Sequence, residues 1–259
     1  MPRSRLDKLV VERGLAATRQ KAQALILAGQ IQVDGQRVDK AGGLVATSAR
    51  IVLVGEAPRY ASRGGLKLEG ALQDFAVDVT EKICLDIGSS TGGFTDCLLQ
   101  HGAGRVHAVD VGKGQLDWKL RQDKRVVVHE GMNARYLKPE DIGEPADLVT
   151  VDVAFISLEK ILPAALDCAK PGAVFLLLIK PQFELSRGQV GKGGIVRDPA
   201  LQRQAVEKIT RAAARLGLAN LAVRESRLPG AEGNREFFLC GRLVPLDSRS
   251  GHPELFRRV

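Results

Sequence analysis

Cysteine is scarce in this chain, and what there is never pairs along the sequence. Cys84, Cys97, Cys168 and Cys240 lie far apart with no Cys-x-x-Cys spacing, which excludes a disulfide framework and the usual ligand pattern of a zinc site. Two of them fall within apolar strand patterns, as buried thiols of a reducing compartment do. Long apolar runs are missing as well. The longest, residues 173–179, falls far short of the ~20 residues that cross a bilayer, and no amino-terminal apolar stretch has the form of a signal peptide. These absences predict a cytoplasmic protein with no membrane and no metal. Acidic residues are in deficit: the net charge is +8, with a pI near 9.5. Over residues 1–59 ten Lys and Arg, among them Arg3, Arg5, Arg19 and Lys21, face five acids, a net 10 − 5 = +5. An excess placed in under a quarter of the chain points to a polyanionic partner, most often nucleic acid.

Two patterns of periodicity divide the 259 residues. In the first, Ser4 and Asp7 read as a capping-box start, Leu6, Leu9 and Val10 follow at helical spacing, and Gly14 closes a short helix. Thr18 caps a second helix over 19–28, ended by Gly29, and strands follow at 31–33 and 50–54 with the turn Asp34-Gly35 after the first. From residue 83 onward strands alternate with helices. Strands are predicted at 83–87, 105–111, 125–129, 147–153, 173–180, 220–225 and 236–241, with helices over 93–100, 157–169 and 199–216 among the connections. Residues 227–234 carry no helical signal, so the last strand is predicted antiparallel in an otherwise parallel, doubly wound α/β sheet of about seven strands.

The chemistry gathers at strand ends. The most apolar strand stops at Lys180 and another stops at Asp152, where open α/β sheets place ligands. The run Leu85-Asp86-Ile87-Gly88-Ser89-Ser90-Thr91-Gly92-Gly93-Phe94 passes from strand to helix. Its glycines admit a ligand close to the backbone, and the helix start offers N–H groups. It is not the dinucleotide fingerprint, because Ser90 stands where the second glycine belongs. The stretch 188–193 lacks the spacing of a phosphate loop and has glycine after its lysine. Asp110 closes the next strand at a distance suited to the two hydroxyls of a ribose. With Asp86 before it and Met132-Asn133 after the third strand, the pattern outlines a nucleoside pocket without a pyrophosphate, for which S-adenosyl-L-methionine is the expected occupant.

At this point the order of motifs resembles a known family. Residues 62–68 (Ser-Arg-Gly-Gly-Leu-Lys-Leu), 86–95, 152–157 (Asp-Val-Ala-Phe-Ile-Ser), 180–184 (Lys-Pro-Gln-Phe-Glu) and 233–238 (Gly-Asn-Arg-Glu-Phe-Phe) are similar to the TlyA family, also called hemolysin A. The resemblance implies an rRNA (cytidine-2'-O)-methyltransferase, with a Rossmann-like FtsJ-type catalytic domain over 63–259 and a linker over 58–62. An α+β RNA-binding domain of the small-ribosomal-protein type would occupy 1–57. It places a catalytic tetrad on Lys67, Asp152, Lys180 and Glu236, and cofactor contacts on Gly88, Ser90, Thr91, Gly92, Gly93 and Phe94 together with Asp110 and the Met132-Asn133 region. The linker holds Tyr60 where the family usually has tryptophan.

Methyl transfer to a ribose 2'-hydroxyl needs a group that takes the hydroxyl proton as the oxygen attacks. An ordinary lysine, with a pKa near ~10.4, holds little neutral amine at pH 7. Lys180 is expected to act as that base or to polarise the hydroxyl, with Asp152 and Glu236 positioning it and Lys67 tuning the charge. The leaving group carries its own positive charge, so the reaction needs no metal. Arg63, Arg187 and Lys192 add basic residues near the motifs, the last two on a Gly-rich stretch, 182–197, expected to close over RNA as a mobile loop. Trp118 is expected to pack beside the pocket, the four histidines to do no chemistry, and Arg257-Arg258 in the tail to add a phosphate contact. Two other readings compete with the enzyme: a non-catalytic rRNA-binding assembly factor, and a membrane-active haemolysin, which no amphipathic or membrane-length segment supports.

Overall fold

The computed structural model describes residues 2–27, 29–54, 58–230 and 232–244, and the tail arginines and Ala28 lie outside them. Two compact units divide the chain, Met1–Ala57 and Pro58–Val259. In the first, β1 (Arg3–Arg5) runs into α1 (Leu6–Glu12), followed by α2 (Arg19–Leu27), β2 (Ile31–Val33), β3 (Gln36–Arg37), β4 (Leu44–Ala46) and β5 (Ile51–Leu53). Strand β1 pairs with β4, and β2 lies between β3 and β5, all antiparallel. Leu6, Val10, Ala22, Ile26 and Ile31 form the buried core between helices and strands. Asp34 (φ 51) and Gly35 (φ 81) make the tight turn expected between β2 and β3, and Thr18 Oγ1 accepts the Lys21 amide as the helix cap.

The start of α1 differs from expectation. Ser4 sits in β1 opposite Val45, and Arg5 is the N-cap without a side-chain cap bond. Asp7 is fully buried, where it accepts from Arg5 (3.1 and 2.9 Å), Arg19 (3.0 Å) and Gln23 (2.8 Å). Burial outweighs capping here, because a carboxylate with no water must draw every available donor. The Arg5 guanidinium beside it holds Asp7 well below the usual carboxylate range. Arg5 and Arg19 are thereby tethered while their side chains stay about half exposed, at 47% and 56%.

The second unit opens with α3 (Gly64–Asp74) and continues through β6 (Ile83–Ile87), α4 (Gly93–Gln100), β7 (Arg105–Asp110), α5 (Trp118–Gln122), β8 (Val126–Glu130), α6 (Pro139–Ile142) and β9 (Ala146–Val151). It closes with α7 (Leu162–Asp167), β10 (Ala169–Ile179), α8 (Pro181–Glu184), α9 (Pro199–Arg215), β11 (Leu218–Glu225) and β12 (Phe237–Leu243). The seven strands take the order β11-β12-β10-β9-β6-β7-β8. All are parallel except β12, antiparallel to both neighbours, as the missing helical signal before it predicts. One apolar cluster joins the sheet to α7 and α9, and another joins it to α3, α4 and α5, so both faces are covered. The chain runs β6, β7, β8 outward and then crosses back to set β9 against β6. That reversal opens a crevice at the carboxyl ends of β6 and β9, the general ligand position of such sheets.

Three connections differ from the sequence reading. The helix expected over 157–169 is a 3-10 turn, Leu158–Lys160, and then α7, because Pro163 enters at the second helical position. Lys180 is one residue past β10 and caps α8. The stretch 182–197 is pinned at its far end: Val196 is buried, its amide donates to Asn234 Oδ1 (2.9 Å), and Asn234 Nδ2 donates to Gly194 O (2.9 Å). The isolated pair Ile195-Val196 after three glycines gives no periodic signal, which is why the segment reads as unanchored.

Candidate active site

Four charged groups meet at the crevice as two ion pairs. Lys180 Nζ lies 2.5 Å from Asp152 Oδ1, and Lys67 Nζ lies 2.6 Å from Glu236 Oε2. Asp152 is the first residue after β9 and its amide donates to Ile87 O (2.9 Å), so the loop after β9 is stitched to the end of β6. Lys67 projects from α3, and Glu236, 3% exposed, stands just ahead of β12 beside Gly230, where a Cβ would meet its carboxylate at 2.5 Å. The arrangement corrects one expectation: Glu236 pairs with Lys67 rather than Lys180, and among the described residues Asp152 is the acid that pairs with Lys180. Arg235, beside Glu236 in the chain, pairs with Glu225.

Two cavities adjoin at these pairs, sharing Gly88, Ser90 and Asp152. The smaller, of about 180 Å³, is lined by Arg63, Lys67, Thr91, Gly93 and Phe94 among others. The larger, of about 1050 Å³, is lined by Asp110, Met132, Asn133, Phe155, Phe183 and Arg187 among others. Gly92, at φ 96, lies so near α5 that a Cβ would meet Leu120 Cδ1 at 2.2 Å. Asp110 uses one oxygen on the Ser90 amide (2.8 Å) and the other on the Gly112 amide (2.7 Å), which fixes the carboxylate while leaving each oxygen a second lone pair. Asn133 Oδ1 caps the short turn that follows it, accepting the Arg135 amide at 3.2 Å. Lys192 is exposed and lines neither cavity.

Asp86 is not at the pocket wall. It is fully buried beneath the loop, where it accepts hydroxyl protons from Thr95 (2.7 Å) and Thr150 (3.0 Å). A strand-end carboxylate looks the same in sequence whichever side it takes. Burial pushes Asp86 up to about 7, against the opposing pull of the two threonines. Its folded value is raised, so its stabilising contribution is complete below the ordinary value of 3.8 and is lost as pH rises through about 7. Asp86→Asn, which keeps the shape and does not titrate, is expected to flatten this slope and to gain roughly 2 kcal/mol over the wild type at pH 8. Urea unfolding at pH 5 and pH 8 checks it, and parallel slopes for both proteins would contradict it.

The sequence reading passed over Phe155. It is 92% exposed at φ 63, a conformation costly for an aromatic residue, with its ring 5.1 Å from that of Phe183 at the lip of the larger cavity. In the sequence it stands within the 152–157 motif, between the predicted strand and helix, with nothing to show which way its ring faces. Trp118 does not pack beside the pocket but stands 69% exposed. His107 bridges His129 and Glu144 at 3.0 Å each, away from both cavities. Among the described residues no group of three His, Cys, Asp or Glu is arranged to hold a metal ion, and no helix is long and apolar enough to cross a membrane.

The fold and the site have counterparts among known proteins. Residues 60–243 match the FtsJ-like methyltransferase family, and residues 4–51 match the S4 domain. The 16S/23S rRNA (cytidine-2'-O)-methyltransferase TlyA of Mycobacterium tuberculosis is 49% identical over 238 residues, covering 92% of this chain and 89% of that one. The solved structure of a protein named as a hemolysin, from Streptococcus thermophilus, is similar with TM-score 0.74 at 42% identity, covering 94% of this chain and 90% of its own. An S-adenosylmethionine dependent methyltransferase from Mesorhizobium loti, 16% identical with TM-score 0.51 over 68% of this chain and 97% of its own, shares the fold.

Proposed function

The chain belongs to the FtsJ-like methyltransferase family, among the relatives named TlyA, and from that premise we propose that it methylates the ribose 2'-hydroxyl of cytidine in ribosomal RNA. The observation that carries this reading is the meeting, at the β6/β9 crevice, of the Lys180–Asp152 pair with the glycine loop that begins at Gly88. S-adenosyl-L-methionine is the proposed cofactor, and the residues fit it. Asp110 has spare acceptor capacity for a ribose, Met132 and Val153 give apolar wall to the larger cavity, and Gln182 Oε1 is buried in that wall without a protein donor. When bound, it supplies a methyl group on a positively charged sulfur.

The rest is work for this chain's own side chains. Lys180, oriented by Asp152, which borders both cavities, receives or polarises the proton of the 2'-hydroxyl. Lys67, held by the buried Glu236, keeps a second fixed positive charge in the smaller cavity, where an RNA phosphate or the developing alkoxide is drawn. The exposed Phe155–Phe183 pair offers a face on which an unstacked base can lie, the usual way single-stranded RNA is read. Residues 1–57 serve as the RNA-binding domain, through Arg3, Arg5, Arg19 and Lys21, residues 58–62 as the linker, and residues 63–259 as the catalytic domain, to which Arg63, Arg187 and Lys192 add phosphate contacts. The partner would be a ribosomal subunit, and the place of action the cytoplasm.

Incubating the protein with methyl-labelled S-adenosyl-L-methionine and separated, unmodified ribosomal subunits tests the proposal. Label is expected in an alkali-resistant dinucleotide beginning with cytidine, because a 2'-O-methyl group blocks alkaline cleavage. Label in ordinary alkali-released nucleotides would move the reaction to a base, and no label on either subunit would remove ribosomal RNA as the substrate.

A further inference from the structure

The loop that carries Asp152 and the segment that carries Lys180 both begin at the reacting pair, and both end at one side chain. The first leaves β9 and reaches Ser157 and Leu158. The second is α8, whose last residue is Glu184. Glu184 is 5% exposed, accepts the Ser157 hydroxyl at 2.5 Å on Oε2, and accepts the Leu158 amide at 2.9 Å on Oε1. Lys208, on α9, locks the same corner: its Nζ donates to Glu184 O (2.9 Å), pairs with Glu159 (3.0 Å) and stands 3.6 Å from the Glu184 carboxylate.

Three ties therefore join the two segments, and they differ in solidity. The Lys180–Asp152 contact has to open and close with the chemistry. The Phe155–Phe183 contact involves a ring that is 92% exposed. The Glu184 tie is buried, charge-assisted and double, the kind that holds a geometry rather than follows it. We propose that Glu184 is a positioning residue for methyl transfer: its buried carboxylate sets the spacing between the Asp152 loop and the Lys180 segment, and so the approach of Lys180 to the hydroxyl. The inference rests on the reading of Lys180 and Asp152 given above. The carboxylate accepts on both oxygens and its charge draws Lys208, whereas an amide keeps the Leu158 bond only by turning its N–H toward the Ser157 hydroxyl, which reverses and weakens that bond, and it loses the attraction of Lys208. Burial pushes the Glu184 carboxyl upward while these donors pull it down, so a neutral replacement relieves a desolvation penalty and need not unfold the protein.

Single-turnover methylation at saturating cofactor and RNA separates positioning from folding. Glu184→Gln is expected to slow the step about 10- to 100-fold, the range that a displacement of about 1 Å produces, with cofactor and RNA dissociation constants within about threefold of wild type. Ser157→Ala, which removes one of the two bonds, is expected to slow it less. The double variant should be no slower than Glu184→Gln alone, because both changes cut one tie. A Glu184→Gln rate within twofold of wild type, while Lys180→Ala is inactive, overturns the inference and leaves the reacting pair standing. So does a rate loss matched by an equal loss of cofactor affinity. Should Glu184→Gln fail to fold, an unchanged rate in Ser157→Ala overturns it. An active Lys180→Ala would instead overturn the reading of the pair on which the inference rests.

Discussion

Lys180→Ala is expected to lower the single-turnover methylation rate by at least about 10³-fold, with the cofactor dissociation constant unchanged within about threefold. The size follows from two losses that coincide. A group positioned to take or polarise the hydroxyl proton contributes roughly 10²–10⁴-fold, and the Lys180 side chain is also what fixes Asp152 at the edge of both cavities. Cofactor binding is spared because the groups proposed to hold the cofactor, Gly88 through Phe94 and Asp110, reach their places through the β6 loop and the Ser90 and Gly112 amides. Folding is spared as well. Asp152 Oδ1 is itself buried, but the Asp152 side chain is 21% exposed and borders both cavities, so deleting the lysine chain opens that oxygen to water and keeps the penalty for an unpaired charge below that of a dry interior. Lys180→Arg sharpens the result. Arginine keeps the charge and never gives up its proton, so an equally inactive Lys180→Arg marks Lys180 as the proton acceptor, whereas substantial recovery marks it as an electrostatic support. Full activity in Lys180→Ala would remove the pair from the reaction.

Much of this site could be read from residue order, and the parts that could not share a physical cause. Strand ends were legible because a charged residue closing an apolar run is costly unless it faces a crevice, which singled out Lys180 and Asp152. The antiparallel position of β12 followed from the missing helix before it. Side-chain direction at a single position was not legible. Asp86 stands one residue before the end of β6 and Asp110 ends β7, yet the first is sealed against Thr95 and Thr150 and the second opens on the cavity. Partner choice within a group of charges was equally hidden, since sequence offers Glu236 both lysines and only the packing of α3 against the segment before β12 awards it Lys67. Asp7 teaches the same point in the small unit. Its position beside a helix start has the form of a cap, and only the fold shows that Arg5, Arg19 and Gln23 converge on it. Short-range pattern decides which elements form, and long-range packing decides what each polar group meets.

Gly88→Ala is the change expected to cost cofactor binding most. Gly88 is the first residue past β6, at φ 86, and a Cβ there would lie 2.2 Å from Asp152 O, 2.9 Å from Asp152 C and 3.3 Å from Val153 Cγ1. The obstacle is backbone, and it cannot swing aside, because the Asp152 amide is bonded to Ile87 O at 2.9 Å and the Gly88 amide to Val109 O at 2.8 Å. Either the cofactor loop lifts off β6 or Asp152 retreats by on the order of 1 Å, and that is a displacement large enough to cost about 10²-fold in rate. Left-handed strain adds roughly 1–2 kcal/mol for any residue with a Cβ. Calorimetric titration with S-adenosylhomocysteine is expected to show affinity weakened by at least about 100-fold, with methylation below about 1% of wild type. Gly143→Ala separates the two causes. Gly143 ends α6 at φ 82 with nothing within 4 Å of the added Cβ, so it carries the strain without the collision. Its variant should lose about 1 kcal/mol of stability and bind as the wild type does. If both alanine variants bound equally well, the close approach of the Gly88 loop to Asp152 would have no part in holding the cofactor, and the site would have to be sought deeper in the larger cavity, toward Asp110 and Met132.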